Sequence, residues 1–164
     1  MTRTVAAFIF FLSTTCSALA AETAWDVLER FGLTGVWSTT CDRPPTPTNF
    51  REIYSKDNDG RARREVDFGA GLPIAVTFVD SAQIISHSMI KLIVRNADAT
   101  LGGKFNNLII EVVWIKETYS HTNEIRIRGF SSRSSDGKVI VQDGILMSLR
   151  KPSFWIYKCR RAMS

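Results

Sequence analysis

His87, His121, Cys16, Cys41 and Cys159 are the side chains of this chain most readily turned to metal binding or nucleophilic chemistry. The two histidines stand far apart in sequence, and neither has a second ligand at the short spacing that a zinc site uses. There is no Gly-x-Ser-x-Gly turn, no glycine-rich phosphate loop and no cysteine close to a histidine. A fold can still assemble distant groups, for example His87 with Glu111 and Cys159. The pattern nevertheless points to a non-catalytic protein with no metal and no cofactor.

Cys16 lies in a segment that reads as a secretion signal. Met1-Thr2-Arg3 makes a positive start, Val5 through Leu12 is almost wholly apolar, and Ala18-Leu19-Ala20 supplies the small-x-small pattern cut by signal peptidases. Residues 1–20 are therefore expected to leave, and residues 21–164 to form one domain in the periplasm or the medium outside the cell. Cys41 and Cys159 are then an even pair in an oxidising compartment, and a structural disulfide is expected between them. The alternative is a reactive Cys159, flanked by Lys158, Arg160 and Arg161.

Removing Arg3 with the leader takes the formal charge from +5 to +4. That excess is too small and too scattered for a nucleic-acid binder, and it suits weak attraction to anionic surfaces. Beyond the leader no apolar run approaches the ~20 residues that span a bilayer. Basic clusters occupy residues 61–64 and 158–161. Alternation sends Arg61 and Arg63 to one strand face and Arg64 to the other. If the two clusters meet in space, a phosphate-rich envelope lipid or an anionic cell-wall polymer becomes a partner.

The elements that must position these groups are mostly strands. Residues 23–31 read as one short helix: Thr23 can cap it, Asp26 completes a capping box, Trp25, Leu28 and Phe31 recur at helical spacing, and Gly32 can end it. From Gly35 the apolar period falls to two. Strands are expected over 35–41, 48–56, 61–68, 74–79, 83–95, 105–117, 124–131, 138–149 and 153–160, with turn residues between them. The Pro44-Pro45-Thr46-Pro47 run cannot supply ladder donors and reads as an irregular loop or an edge. The fold class expected is an all-β antiparallel barrel of eight or nine strands, with a sandwich as the other arrangement. Glu111 interrupts an apolar strand and needs a partner, a lumen or solvent.

Gly35-Val36-Trp37, behind a short helix and at the start of the first strand, resembles the opening of the lipocalin-like (calycin-type) barrels. The resemblance implies that Trp37 plugs one end, that Arg150, Arg160 or Arg161 lies over its ring, and that the open end holds a small apolar or amphipathic ligand. The candidate lining is Trp37, Phe78, Glu111, Trp114, Trp155 and Tyr157. The chain also resembles the small exported protease inhibitors of bacteria, which are eight-stranded barrels with a Gly-x-Trp and one disulfide. That likeness implies a protein partner, with the free mature N-terminus entering a protease. Pairing the cysteines across a first-to-last strand ladder would push Trp37 opposite Met163. Residues 138–149 are therefore expected to close the barrel against the first strand, unless the bridge joins elements that are out of register.

Overall fold

Thr23 begins the first element. Its hydroxyl accepts from the Asp26 N–H at 3.2 Å while the Asp26 carboxylate accepts from the Thr23 N–H at 3.1 Å, a reciprocal cap that starts α1 (Ala24–Phe31). The Thr23 hydroxyl also donates to the Asp26 carboxylate at 2.7 Å, which, with the Thr23 N–H, holds that carboxyl below its usual range. Gly32 ends the helix in the left-handed conformation, at φ 82°. Val27, Leu28 and Phe31 form the buried stripe. The computed structural model describes residues 22–96 and 108–160. The leader with Cys16, the expected turn at 100–103, the start of the strand expected over 105–117, Arg161 and Met163 lie outside the described residues.

Eleven strands follow: β1 (Gly35–Ser38), β2 (Arg51–Lys56), β3 (Ala62–Asp67), β4 (Ala75–Ser86), β5 (Met89–Asn96), β6 (Ile109–Tyr119), β7 (Glu124–Ser134), β8 (Val139–Gln142), β9 (Ile145–Leu146), β10 (Lys151–Pro152) and β11 (Ile156–Lys158). Every ladder is antiparallel, and β7 pairs with both β6 and β11. Eight strands thus close a barrel in the order β7-β11-β1-β2-β3-β4-β5-β6, while β8, β9 and β10 extend from β7 as a side sheet.

The interior is filled by the chain itself. Trp37, Tyr54, Leu28, Leu33, Ile90, Leu92, Ile127, Ile156, Glu52 and Val94 are all essentially without solvent contact. The helix contributes Leu28 and Phe31 to the same cluster, so α1 closes the end of the barrel where β1 begins. Two lysines hold it there. Lys116 of β6 donates to the Phe31 carbonyl and Lys158 of β11 to the Gly32 carbonyl at 2.8 Å, two of the acceptors that a helix C-terminus leaves without intrahelical donors. Burial lowers the pKa of both lysines, and Lys158 lowers that of Lys116 further. Trp37 is sealed beneath them. Its indole N–H donates to the Leu33 carbonyl at 2.6 Å, and the cation over its ring is Lys158, 5.5 Å from the centroid, in place of the arginine expected.

Several expectations change. The strand expected over 83–95 is broken by a turn at His87-Ser88, which lacks the glycine, proline or asparagine that marks such a turn. The expected gap near residue 80 is only a register shift within β4. The strand expected over 138–149 is two, β8 and β9, parted at Asp143-Gly144, where φ is 49° and 76°. Closure against β1 comes from β11, with Trp37 opposite Lys158 and Ser38 opposite Tyr157, and not from residues 138–149. The cause is the length of β7: its first half pairs with β11 and its second half with β8, so β8 cannot reach β1. The Cys41–Cys159 disulfide is present, with Cα atoms 5.4 Å apart, and joins residues just beyond that two-pair ladder.

Replacing Trp37 by Ala is expected to lower the unfolding free energy by about 3 to 5 kcal/mol, read by urea denaturation. An unchanged midpoint would remove its role as the seal. Reducing the disulfide, whose ends are 118 residues apart, is expected to cost about 4 kcal/mol in the same assay.

Candidate functional site

Opposite α1 the barrel ends differently. Phe50 precedes β2, Phe68 follows β3 and Phe154 precedes β11, each continuing the inward-facing row of its strand. Their rings meet, Phe50 with Phe68 at 6.0 Å and Phe50 edge-on to Phe154 at 6.2 Å. Phe50 also packs on the core, while Phe154 keeps nearly half of its surface in water. The three rings form an apolar rim at the end where β1, β3 and β7 finish.

Beneath the rim lies a charged group. The inward row of β2 runs Phe50, Glu52, Tyr54, and the inward row of β3 runs Ala62, Arg64, Val66, so Glu52, Tyr54 and Arg64 converge inside the barrel. Oε1 of Glu52 accepts from the Tyr54 hydroxyl and from Nε of Arg64, both at 2.6 Å. Glu52 is only 1% exposed, and the Arg64 side chain paired with it keeps 18% of its surface. Burial pushes the Tyr54 phenol well above its usual range, and the Glu52 carboxylate adds to the rise. Burial alone would lower the pKa of Arg64, but the same carboxylate outweighs it and keeps the guanidinium charged. A buried ion pair seldom adds stability over an apolar replacement of the same volume. Its presence in an otherwise apolar interior marks this end chemically.

Two loops beside the rim are cross-braced. Between β1 and β2, the Asn49 side chain serves as a hub: its Oδ1 accepts from the Thr40 N–H at 2.8 Å, and its Nδ2 donates to the carbonyls of Thr40 and Pro44, each at 3.1 Å. Thr46 and Asn49 pair as an isolated bridge around Pro47-Thr48. The loop between β3 and β4 leans on this one. A Cβ at Gly69 would stand 2.0 Å from the Pro45 carbonyl oxygen, so only glycine allows the approach.

The residues expected to line a ligand cavity are dispersed. Trp37 and Trp114 are in the packed core, and the Trp114 indole N–H has no acceptor among the described residues. Phe78 is in a surface notch of about 520 Å³ beside the start of α1, its ring 4.0 Å from the Arg61 guanidinium. The charges there are paired with one another, Arg61 with Asp57 and Arg95 with Asp80. Glu111 is exposed on the outer face of β6, opposite Arg133. Trp155 and Tyr157 lie together outside the barrel. There Arg126 stacks between Tyr119 and Trp155, at 4.2 and 4.3 Å, Arg128 lies 4.9 Å from Trp155, and Tyr157 meets Tyr119 edge-on. These cation–π contacts clamp β11 against β7.

His87 and His121 occupy the turns at the α1 end, whereas Glu111 pairs near the far end of β6 and Cys159 is oxidised, so the structure does not assemble the triad considered above. Among the described residues no cluster of three His, Cys, Asp or Glu could hold a metal ion. Among the described residues the basic clusters do not meet: β1 and β2 separate β3 from β11, and Arg61, Arg63 and Arg64 each have a carboxylate partner. Phe50, Glu52 and Phe154 were not singled out from sequence, and Arg64 was read only as one of a basic cluster, although the alternation Phe50-x-Glu52-x-Tyr54 places those three on one face.

Tyr54 permits a test of this geometry by pH. Because its folded-state pKa is raised above the ordinary value of 10.0, its contribution to stability is complete below pH 10 and is lost as pH rises toward the folded value. Tyr54→Phe is expected to lower stability by about 1 to 3 kcal/mol at neutral pH, by removing one donor from Glu52. It is also expected to flatten the alkaline decline, followed by urea unfolding across that range. Parallel curves for the two proteins would contradict the burial of the phenol.

No family model, no curated protein and no solved structure matches the chain. The barrel therefore stands on its own geometry, and the chemistry of its open end is what bears on function.

Proposed function

We propose that this chain is an exported, non-catalytic binding protein that takes an apolar or amphipathic molecule at the open end of its barrel. The observation that carries this reading is the Phe50–Phe68–Phe154 rim continuing the inward rows that hold the Glu52–Arg64 pair, an apolar collar next to a charged group. The deep interior is occupied by Trp37, Tyr54 and Ile156, so the ligand enters only the outer part of the barrel, with an acidic head toward Arg64 and its apolar part among the rings. Export is supported by the apolar leader pattern and by the Cys41–Cys159 bridge.

A second reading, a protein-interaction module such as a protease inhibitor, is favoured by the β1–β2 loop. Its exposed prolines are held on the Asn49 hub, and a rigid exposed loop costs little ordering entropy when a partner binds it.

Titration of the protein, prepared from residue 21 onward, with a dansylated fatty acid is expected to give saturable binding with a blue-shifted emission. Phe154→Ser, at a half-exposed site, is expected to weaken binding about tenfold with the thermal midpoint nearly unchanged. Absence of saturable binding, or a Phe154→Ser variant that binds as well as the parent, would overturn the reading and leave the protein-interaction module in its place.

A further inference from the structure

Exposed apolar side chains are not spread evenly over this molecule. Of the nine large hydrophobic residues that are exposed among the described residues, Leu72, Ile74, Ile109, Met147, Leu149 and Phe154 lie at the end of the barrel opposite α1. Strand direction decides this. β1, β3, β5, β7 and β9 all run toward that end, so the β1–β2, β3–β4 and β9–β10 connections and the start of β6 are all there. The α1 end has Ile85 and Ile125, and the ninth, Ile145, stands at the start of β9 in the side sheet.

The backbone of the same end suits a medium poor in water. Four of the five prolines, Pro44, Pro45, Pro47 and Pro73, are in its loops, and a proline has no N–H to leave without a partner. The Asn49 side chain satisfies the Thr40 and Pro44 carbonyls from within the loop. The charge there is positive: in the three connecting segments and the strand residues that adjoin them, Arg43, Arg51, Arg150 and Lys151 stand against Asp42 and Asp67. Arg51 is turned to the Arg43 carbonyl, and Asp67 accepts from the Gly69 N–H.

We infer that this end docks on the surface of a lipid bilayer bearing anionic headgroups, with Leu72, Ile74 and Phe154 in its interfacial layer and the arginines and Lys151 at headgroup level. The apolar side chains stand in small groups among cations, Leu72 with Ile74 on one loop, Met147 with Leu149 on another, Phe154 before β11 and Ile109 at the start of β6. A bilayer interface moulds to such a surface, whereas a folded partner needs a continuous one. The positive excess complements the headgroups. The inference rests on the reading of the rim as the binding site and extends it: Phe154 belongs both to the rim and to the exposed set, which puts the binding site beside the docked bilayer.

Flotation of the protein with phosphatidylcholine vesicles, with and without phosphatidylglycerol, tests this. The parent protein is expected to float with the mixed vesicles, and several-fold less with phosphatidylcholine alone or in high salt. Leu72→Ser combined with Ile74→Ser is expected to reduce flotation about tenfold, and Ile85→Ser, equally exposed at the other end, to leave it unchanged. Should the double variant fail to fold, Leu72→Ser alone is expected to reduce flotation by about threefold. Absence of flotation, indifference to phosphatidylglycerol, or an equal loss from Ile85→Ser overturns the inference. So does a photo-cross-linker at position 72 that captures protein and not lipid in the producing cell. A protein that binds the dansylated fatty acid but ignores vesicles refutes docking and leaves the rim reading intact. One that floats without binding the fatty acid refutes the rim reading and leaves the docking surface standing.

Discussion

A strand of three residues closes this barrel. β11 offers two register pairs to β1 and two to β7, too few backbone hydrogen bonds to hold a sheet edge shut by themselves. Other interactions gather around it for that reason. Lys158, its last residue, reaches across the end of the barrel to the C-terminus of α1 and lies over Trp37. Tyr157 and the preceding Trp155 face outward into the stack formed by Arg126, Arg128 and Tyr119. Cys159 bonds the chain just past the strand to the start of the β1–β2 loop, and its N–H donates to the Val36 carbonyl at 2.8 Å. Helix docking, the seal at Trp37 and the stiff loop beside the rim all depend on β11 staying in place.

The same shortness explains the side sheet. β7 has eleven residues and β11 covers only its first part, so the rest of that edge is free to pair with β8. The extension has to stop somewhere, and β10 stops it with Lys151-Pro152. A charge and a residue without an N–H make a poor template for a further strand, so the one open edge of the sheet is blunted.

What could be read from the residues alone follows from which signals are local. The helix was legible because its cap, apolar spacing and terminal glycine all fall within ten residues. The barrel was legible because period two persists from Gly35 onward with turns between the runs. Strand pairing was not, since register depends on which partner is available: the expectation that residues 138–149 close against β1 assumed one continuous strand, and Asp143-Gly144 breaks it. The candidate site was less legible still. Alternation separates Arg64 from Arg61 and Arg63, yet the meaning of that separation emerges only when β2 is laid beside β3 and Glu52 faces inward. Trp155 and Tyr157, expected inside the barrel, are outside because Ile156 takes the inward place in that strand.

The two ends of the barrel then differ for one physical reason. At the α1 end the apolar residues have a covering element, and the polar groups that the cover leaves over, the last carbonyls of the helix, are met by Lys116 and Lys158. At the other end no helix among the described residues lies over the barrel, and Phe50, Phe68 and Phe154 cover one another and stay partly wet. An apolar ring of this kind above a filled interior would gain from further burial by the hydrophobic effect, but the interior has no room to let the rings sink. The Glu52–Arg64 pair reinforces that limit. Pressing the rings deeper would bring them against a charged pair that is already short of solvent, at a desolvation cost. The open end is therefore held between two opposing terms, apolar area that favours cover and a buried charge that resists collapse, and a molecule that brings an apolar body together with an anionic group satisfies both at once.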